Sequence, residues 1–407
     1  MTPGRSAQRV GYAAPQTAAA RPCSLERHRP TGVHLRAAKE LSFTPQPRAP
    51  STRLTARSPY RRADWYGESG PLMRSERISR LAARRQQYTN ETYQQARNLL
   101  RPGRPPIPDA DCDKQRNFEA DLFHQLIESN RDFTAYPFGI RRVSPKPDTI
   151  ELVVESEQRA RRLLSWLLPC YEPGGEVHGV LGLRIRQRTV RGVELHLAGQ
   201  RTSVWLTGPH RDVWKSAENE SLEHVADLGW KALWRGPEHW SAEEVAFEHE
   251  WNTGEWTRQF RAGAWSASGL LRRLGLFRTL TAADAVTGYK GLGINGYDGS
   301  GPVRWCLDII HRSGIRHRKQ HLIEAITDPE FGLPVSRADH LDAIYPPETM
   351  ENWIRLDDEA RTGLIELRFT TCDYEQLQLS TCGPEYQAIA EAVERRISTA
   401  TQRLGPG

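Results

Sequence analysis

The residues best suited to bind a charged ligand lie between Gly288 and Gly301, a glycine-rich segment that also contains Lys290. Three of these glycines match the pattern GxGxxG. Glycine backbone amides can hold an anion such as phosphate, and a neighbouring cation strengthens the binding. A long connection that only turns the chain is the alternative interpretation. The predicted anion site consists of Lys290, Gly291, Gly293, Gly296 and Arg304.

The sequence around these glycines excludes two nucleotide-binding motifs. A dinucleotide fingerprint requires a strand before the glycines and a helix that opens among them. Here the upstream residues TAADAVTGY predict a helix, and the next predicted helix starts only after Pro302. Lys290 is also outside a GxxxxGK[ST] frame, so the segment is not a P-loop.

The residues that follow suggest a second kind of chemistry, nucleic-acid binding. PVRWCLDIIHR predicts an apolar helix, Ser313-Gly314 a turn, and IRHRKQHLIEAI a basic second helix. This order is typical of a helix-turn-helix, although many helix pairs share it and merely pack together. The candidate contacts on the second helix are Arg316, Arg318 and Lys319.

A second basic segment, from Arg77 to Leu100, predicts two short helices that form a hairpin, with Thr89 as the cap of the second helix. Its arginines, Arg97 included, are expected on the outside of the hairpin. They either contact nucleic acid or form an ordinary solvated helix face. The candidate nucleic-acid contacts here are Arg77, Arg80, Arg84 and Arg85.

Other clusters of polar residues are candidates for a metal or acid/base site, but a structural role explains each of them more simply. Cys306, His311, His317 and His321 match no zinc-finger spacing. Glu244 and Glu248 lie one helical turn apart, near His224, His239 and His249, which favours a solvated helix face. We therefore assign no metal ligand and no cofactor from the sequence.

One strand pattern resembles the acid-then-Glu-x-Lys arrangement of metal-dependent nucleases. It consists of Asp357 or Asp358 followed by Glu366-Leu367-Arg368. Arginine replaces the lysine, and an arginine does not readily lose its proton. Alternating charge on a solvent-facing strand explains these residues more simply.

The composition limits the classes of protein that the chain can belong to. Its 49 arginines and 7 lysines, together with abundant alanine, glycine and proline, suggest a GC-rich bacterial genome. Residues 1–104 contain 20 basic and 6 acidic residues, and residues 105–407 contain 36 and 44, so the net charges are +14 and −8. A uniformly basic surface is therefore not expected.

Cysteine usage and hydropathy predict a cytoplasmic protein with no membrane partner. The six cysteines are scattered, with no CxxC pair. A chain of this size does not need disulfides to fold. It has no apolar run of membrane-spanning length and no apolar secretory signal.

The pattern of elements predicts an α+β protein. A helix at about Gln115–Ser129, with Phe118, Leu122, Leu126 and Ile127 on one face, comes first. A small antiparallel sheet with one covering helix follows, and Val177–Val190 is expected to be one of its strands. Next is a mostly helical tryptophan-rich region, whose rings are expected to pack in a core rather than stack on nucleobases or sugars, then a short helix near Arg337–Ile344, and finally a β-hairpin and a helix.

Ser156 is expected to cap the covering helix, and Ser241 with Glu244 to form a capping box in the tryptophan-rich region, where Ser216 marks a weaker helix start. The hairpin is predicted from Leu364–Thr370 and Glu375–Leu379, and the helix from Pro384 to Gln402.

Five segments follow from these patterns. Residues 1–72 read as a disordered basic arm, or as an extension upstream of a start at Met73. The others are a helical hairpin at 73–101, a proline-rich linker at 102–110, a β-α-β-β-β domain at 111–207, and the tryptophan-rich region with its glycine-rich loop at 208–407.

Three functions agree with this organisation. The first is a nucleic-acid-associated accessory or regulatory protein, based on the two basic segments. The second is an enzyme that binds a phosphorylated ligand at Gly288–Gly301, and the third is a non-catalytic interaction protein.

Overall fold

The structure, a computed structural model, describes residues 71–129, 136–252, 255–277, 288–292, 304–312, 319–338, 353–358 and 363–372. All of them belong to one compact unit, residues 62–407. The fold is α+β, as predicted. Its described helices are α1 (Pro71–Thr89), α2 (Tyr93–Leu99), α3 (Asp113–Ser129), α4 (Glu157–Leu167), α5 (Arg211–Asp227), α6 (Ala242–Asn252), α7 (Glu255–Arg272) and α8 (Lys319–Ile326).

The described strands form three sheets. Sheet one contains β1 (Ile140–Lys146), β2 (Thr149–Val154), β5 (Leu183–Thr189), β6 (Gly192–Leu197) and β7 (Val204–Thr207). Sheet two contains β3 (Cys170–Tyr171), β4 (Val177–His178) and β8 (Lys231–Ala232). Sheet three contains β9 (Gly288–Leu292), β10 (Arg304–Arg312), β11 (Ser336–Arg337), β12 (Trp353–Asp357) and β13 (Leu364–Cys372).

Sheet one, with strand order β1-β2-β7-β6-β5, is mixed rather than antiparallel. β2 and β7 pair in parallel, and every other pair in the sheet is antiparallel. The edge strand β1 was not predicted, because two arginines and Pro145 interrupt its apolar pattern. The predicted strand from Val177 to Val190 is divided between β4 and β5, with Gly182 at a positive φ of 75° between them.

Two helices, α4 and α5, pack against each other beside sheet one. α4 begins as predicted, because the Ser156 side chain accepts a hydrogen bond from the Arg159 amide at 3.1 Å. The helix start predicted near Ser216 is wrong. α5 begins at Arg211 with His210 as its cap, and Ser216 lies inside the helix, where it donates a hydrogen bond to Glu220.

The α1–α2 hairpin is present, but its second helix begins later than predicted. Thr92, and not Thr89, caps α2, and it forms a capping box with Gln95. Thr89 is instead the last residue of α1, where its hydroxyl donates to the Arg85 carbonyl at 2.9 Å. A threonine three residues earlier in the sequence therefore gave the wrong boundary.

The proline-rich segment predicted as a linker packs into the body. Ile107 is only 1 % exposed and belongs to the main hydrophobic core. The Pro106 carbonyl accepts a hydrogen bond from buried Arg85, and the Pro108 carbonyl accepts one from Arg272 at 2.8 Å. Proline still prevents helix formation here, but the freed carbonyls become acceptors for core arginines.

The interior of the body is formed by the packing of α3 against α7. The apolar stripe predicted on α3 is confirmed, since Phe118, Leu122, Leu126 and Ile127 are all buried. In the tryptophan-rich region the predicted packing role holds for Trp214 and Trp234, which are 1 % and 4 % exposed. The capping box at the start of α6 is also confirmed, with reciprocal hydrogen bonds between Ser241 and Glu244.

Sheet three corrects the largest error of the sequence analysis. The residues predicted as an apolar helix after Pro302 form β10, which pairs with β9 on one side and in parallel with β13 on the other. Trp305 and Leu307 of β10 are buried, and the Trp305 indole donates to the Gly263 carbonyl of α7. Nonlocal pairing and burial therefore override the helical pattern.

The C-terminal elements agree with the prediction only in part. The strand predicted at Leu364–Thr370 is confirmed within β13, but its described hairpin partner is β12. The predicted strand 375–379 and the helix 384–402 lie outside the described residues. Of the short helix predicted at 337–344, Arg337 belongs to strand β11, and residues 339–344 also lie outside them.

Candidate functional site

The strongest candidate for a binding surface lies on α1, α2 and the turn that follows them. Arg77, Arg80 and Arg84 are spaced three and four residues apart, which places them on one stripe of α1. Arg80 and Arg84 are exposed, and Arg77 is partly exposed. The helix therefore presents a row of guanidinium groups along one side.

The second part of this surface comes from α2 and residues 100–104. Arg97, Arg101 and Arg104 are exposed there. A pocket of about 480 Å³ lies between α1, α2 and this turn. Its lining residues combine an apolar floor with polar groups, namely Ile78, Leu81, Arg97, Asn98, Leu100, Arg101 and Pro102.

Positive charge on this segment is not balanced locally. Residues 71–104 contain eight arginines and two glutamates, which gives a net charge of +6. Within the described part of the chain, Arg80, Arg97 and Arg104 have no carboxylate partner. We define the arginine surface as Arg77, Arg80, Arg97, Arg101 and Arg104.

Two arginines predicted to lie on this outer face are occupied by other contacts. The expectation for Arg85 is wrong, because it is 1 % exposed and its guanidinium pairs with Glu91 at 2.6 Å. Arg84 is exposed but forms an ion pair with Asp328, and its guanidinium lies 5.2 Å from the ring centroid of Phe331. Neither arginine is counted in the arginine surface.

The predicted helix-turn-helix is not formed, because its first helix is strand β10. Lys319 is the first residue of α8, which confirms a helix in the second half of the motif. Arg316 and Arg318 lie outside the described residues. The basic run thus follows a strand, and the base-reading geometry of a helix pair does not apply to it.

The predicted anion site is also changed by sheet three. Lys290 and Gly291 belong to β9, where they face Asp308 and Leu307 of β10. Arg304 is the first residue of β10, whereas Gly293 and Gly296 lie outside the described residues. Lys290 and Gly291 were expected in a turn with free backbone amides, but they are paired with β10 in a β-sheet. These two residues therefore do not form the predicted phosphate-binding turn.

The nuclease-like pattern contains a structural ion pair. Glu366 is 0 % exposed, and its carboxylate accepts from Arg355 at 3.3 Å and from the Cys306 thiol at 3.7 Å. The simpler interpretation of a solvent-facing strand is wrong at this position. Because Arg355 and Cys306 occupy the carboxylate, Glu366 acts as an interior partner for a buried charge.

Glu244 has a structural role as well, so the predicted solvated helix face is wrong at this residue. It is 0 % exposed and binds both terminal nitrogens of Arg184, at 2.9 and 2.7 Å, and the Gly182 amide at 3.0 Å. Burial acts to raise the pKa of Glu244, but hydrogen bonds from Arg184 and Ser241 hold it below its usual range. His224, His239 and His249 are exposed.

A cluster of potential metal ligands, which the sequence analysis did not single out, lies on the β3–β4 hairpin. One ligand atom from each of Glu172, Glu176 and His178 lies within 4.8 Å of the others. The His178 Nε2 and the nearer Glu172 oxygen are 3.1 Å apart. Burial and the charge of Glu172 raise the pKa of the neighbouring Cys170 thiol to about 11.

This cluster had a detectable signal in the sequence. Ligand-type residues alternate with other residues on both sides of a Pro-Gly-Gly turn, in the order Cys170, Glu172, Glu176 and His178. Residues two apart on a strand share a face. The signal was missed because Val177–Val190 was interpreted as one long strand and not as the second arm of a short hairpin.

Fold and site together define an α+β protein with an arginine-rich helical surface. Comparison with protein-family models, with curated proteins and with solved structures found no match. Among the described residues, no helix has both the length and the apolar character needed to cross a bilayer.

Proposed function

We propose that the protein binds nucleic acid through the arginine surface and acts as an accessory or regulatory factor. The observation that supports this is a group of exposed arginines, Arg80, Arg97 and Arg104, that have no carboxylate partner within the described part of the chain and lie on one short helical hairpin and the turn after it. Phosphate backbones attract such a group and release counterions when it binds. Arginine is also the residue best suited to two-point hydrogen bonding with phosphate.

The form of the pocket favours single-stranded nucleic acid. Its floor is apolar at Ile78, Leu81 and Leu100, and its rim carries the guanidinium groups of Arg97 and Arg101. An unstacked base can enter an apolar pocket and stack on a guanidinium plane, while neighbouring arginines hold the phosphates. Arg101 is positioned for this role because it donates to the Asn98 carbonyl at 2.5 Å and to the Leu100 carbonyl at 3.0 Å.

The test is a salt titration of binding to a labelled single-stranded oligonucleotide with the full chain. We expect affinity to fall linearly on a logarithmic salt scale. Changing Arg80, Arg97 and Arg104 together to glutamine should reduce the slope by roughly 0.7 for each lost phosphate contact. Binding at low salt that is identical in the triple variant and the unchanged chain would refute the assignment.

A matched control comes from the β5–β6 turn. Arg191 is exposed, and its side chain has no carboxylate partner among the described residues. Arg191→Gln removes one positive charge outside the arginine surface, so it should leave the slope unchanged. A duplex competitor of the same length should compete less well than the single strand, because bases in a duplex are not free to enter the pocket.

The proposal includes a reducing cytoplasmic location. Cys112, Cys170 and Cys306 are free thiols in the structure. Free thiols persist where glutathione and thioredoxin keep cysteines reduced. Alkylation of the freshly isolated protein under denaturing conditions with a chelator tests this, and six alkylated cysteines are expected from the composition.

A further inference from the structure

The β3–β4 hairpin carries four ligand-type residues on one face. Cys170 and His178 are direct partners across the two strands. Glu172 and Glu176 follow at the turn, where the Glu172 amide donates to the Glu176 carbonyl at 2.9 Å. Because side chains alternate along a strand and partners share a face, Cys170, Glu172, Glu176 and His178 all project to the same side.

The distances within this cluster match the size of a metal site. Ligand atoms of Glu172, Glu176 and His178 lie within 4.8 Å of one another, and the His178 and Glu172 atoms are 3.1 Å apart. Ligands about 2.0 to 2.1 Å from a tetrahedral zinc ion are roughly 3.3 Å from each other. Only a small closure of the hairpin is needed to reach that spacing.

The imidazole of His178 is held in a fixed plane. Its ring stacks on Trp230 with a centroid distance of 4.7 Å and an interplanar angle of 10°. Trp230 directly precedes β8, which pairs with β3 through Lys231 and Tyr171. The sheet therefore positions both the ring and the carboxylate beside it, which lowers the entropy lost when a ligand binds.

A separate observation points to a ligand at the same face. Cys170 is 7 % exposed, and its thiol is free. Among the described residues the Cys170 sulfur has no hydrogen-bond partner, although it lies on the same face as the imidazole and the carboxylates. A sulfur, an imidazole nitrogen and carboxylate oxygens form a donor set that suits zinc better than magnesium or calcium.

We propose that Glu172, Glu176 and His178 bind a zinc-class divalent cation, and that the hairpin closes on the ion so that the sulfur of Cys170, which lies outside the 4.8 Å group, becomes the fourth donor. The site is separate from the arginine surface, and its existence does not depend on nucleic-acid binding. All of its donors lie in one nine-residue segment, from Cys170 to His178. A local hairpin of this kind gives the body a compact metal-stabilised element.

The experiment measures zinc binding by the full chain after treatment with a chelator and dialysis. Isothermal titration calorimetry with Zn²⁺ alone should show one tightly bound zinc ion per chain in the unchanged protein. Glu176→Gln and His178→Asn should each lower the affinity for that ion by at least about tenfold, because even the residues that hydrogen-bond to a metal ligand contribute about 10- to 100-fold. Far-UV circular dichroism checks that both variants fold.

Matched controls lie on α5, where Glu223 and His224 are both exposed. Glu223→Gln and His224→Asn should leave zinc affinity unchanged. Other cysteines and histidines in the chain can also bind zinc, so the difference between hairpin and α5 variants decides the result. Equal affinities in both pairs, or no saturable binding in the unchanged protein, would overturn the proposal.

Cobalt substitution tests the fourth donor separately. Co²⁺ bound by a thiolate shows a sulfur-to-metal charge-transfer band in the near ultraviolet. We expect that band in the unchanged protein and its loss in Cys170→Ser. If the band is absent, or if it persists in Cys170→Ser, Cys170 is not a ligand of the site.

Discussion

Arginines in the interior and arginines on α1 and α2 differ in how their charge is balanced. Arg85, Arg184, Arg272 and Arg355 are each at most 4 % exposed, and each pairs with a buried glutamate. On the arginine surface, Arg80, Arg97 and Arg104 have no such partner among the residues that the structure describes. The same residue type therefore has a structural role in one region and a proposed binding role in the other.

This difference shows why the count of basic residues overstates the charge that a ligand can meet. A buried guanidinium is stable only when carboxylates and carbonyls satisfy its donors. Arg272 illustrates this, because it donates to both oxygens of Glu119 and to the carbonyls of Pro108 and Lys146. An exposed guanidinium is solvated by water and stays available for phosphate.

The largest expected effect tests the interior side of this comparison. Arg272→Ala leaves Glu119 buried without its cation, so the free energy of unfolding should fall by about 3–5 kcal/mol. Urea denaturation followed by circular dichroism measures the change. Arg116→Ala is the control, because Arg116 pairs with exposed Asp113 at the surface and should contribute about 0–1 kcal/mol. Similar losses in the two variants would contradict the distinction.

Arg85 tests which side of the comparison a residue of α1 belongs to. Arg85→Gln removes the ion pair with Glu91 and the hydrogen bonds to the Pro106 and Pro145 carbonyls. We expect a loss of about 2–3 kcal/mol in stability, since hydrogen bonds to charged groups are strong and Glu91 stays buried. The salt slope of nucleic-acid binding should not change. A reduced slope with unchanged stability would place Arg85 on the binding surface instead.

A partly buried histidine extends the comparison to pH. Burial lowers the pKa of His124 to about 4, below the ordinary value of 6.5. Because the pKa of His124 is lower in the folded state, the unfolded chain takes up a proton there at a higher pH than the folded chain does. Protonation as the pH falls therefore stabilises the unfolded state and lowers the free energy of unfolding. Stability is therefore full above pH 6.5 and is lower by about 2 kcal/mol at pH 5, with a further loss as the pH drops towards 4.

The measurement is urea denaturation at several pH values. His124→Leu removes this titration, so the curve between pH 5 and 6.5 should become flatter. His224 is exposed on α5, and His224→Asn should keep the slope of the unchanged protein. The prediction fails if the two variants give the same pH dependence.

Local signals in the sequence predicted the parts of the fold that local interactions decide. The Ser156 cap and the Ser241–Glu244 capping box were correct, because a cap depends on residues three positions apart. Two local signals failed, at Thr89 and Ser216, but nonlocal contacts decided the largest failure. β10 has a helix-like apolar pattern, but its pairing with β9 and β13 and the burial of Trp305 favour a strand.

The candidate sites were predictable only in part for the same reason. The exposure of Arg80 agreed with the sequence, whereas Glu91 and two distant carbonyls withdraw Arg85 from the surface. Arg80 and Arg85 are the same residue type on the same helix, and the sequence of α1 does not show which of them is buried. The hairpin cluster depended on recognising one turn, since Cys170 and His178 are eight positions apart and become neighbours only when the strands pair.

The smallest expected effect on stability tests the surface side of the comparison. Arg97→Gln removes one exposed charge that has no carboxylate partner among the described residues, so the free energy of unfolding should change by less than about 0.5 kcal/mol. The sign should be stabilising at low salt, because residues 71–104 carry a net charge of +6 and repel one another. Added salt should remove that gain by screening the repulsion. Denaturation with urea at low and high salt measures both changes, while the oligonucleotide affinity of the same variant should fall. A clear loss of stability would instead mean that Arg97 has a structural partner and does not belong to the arginine surface.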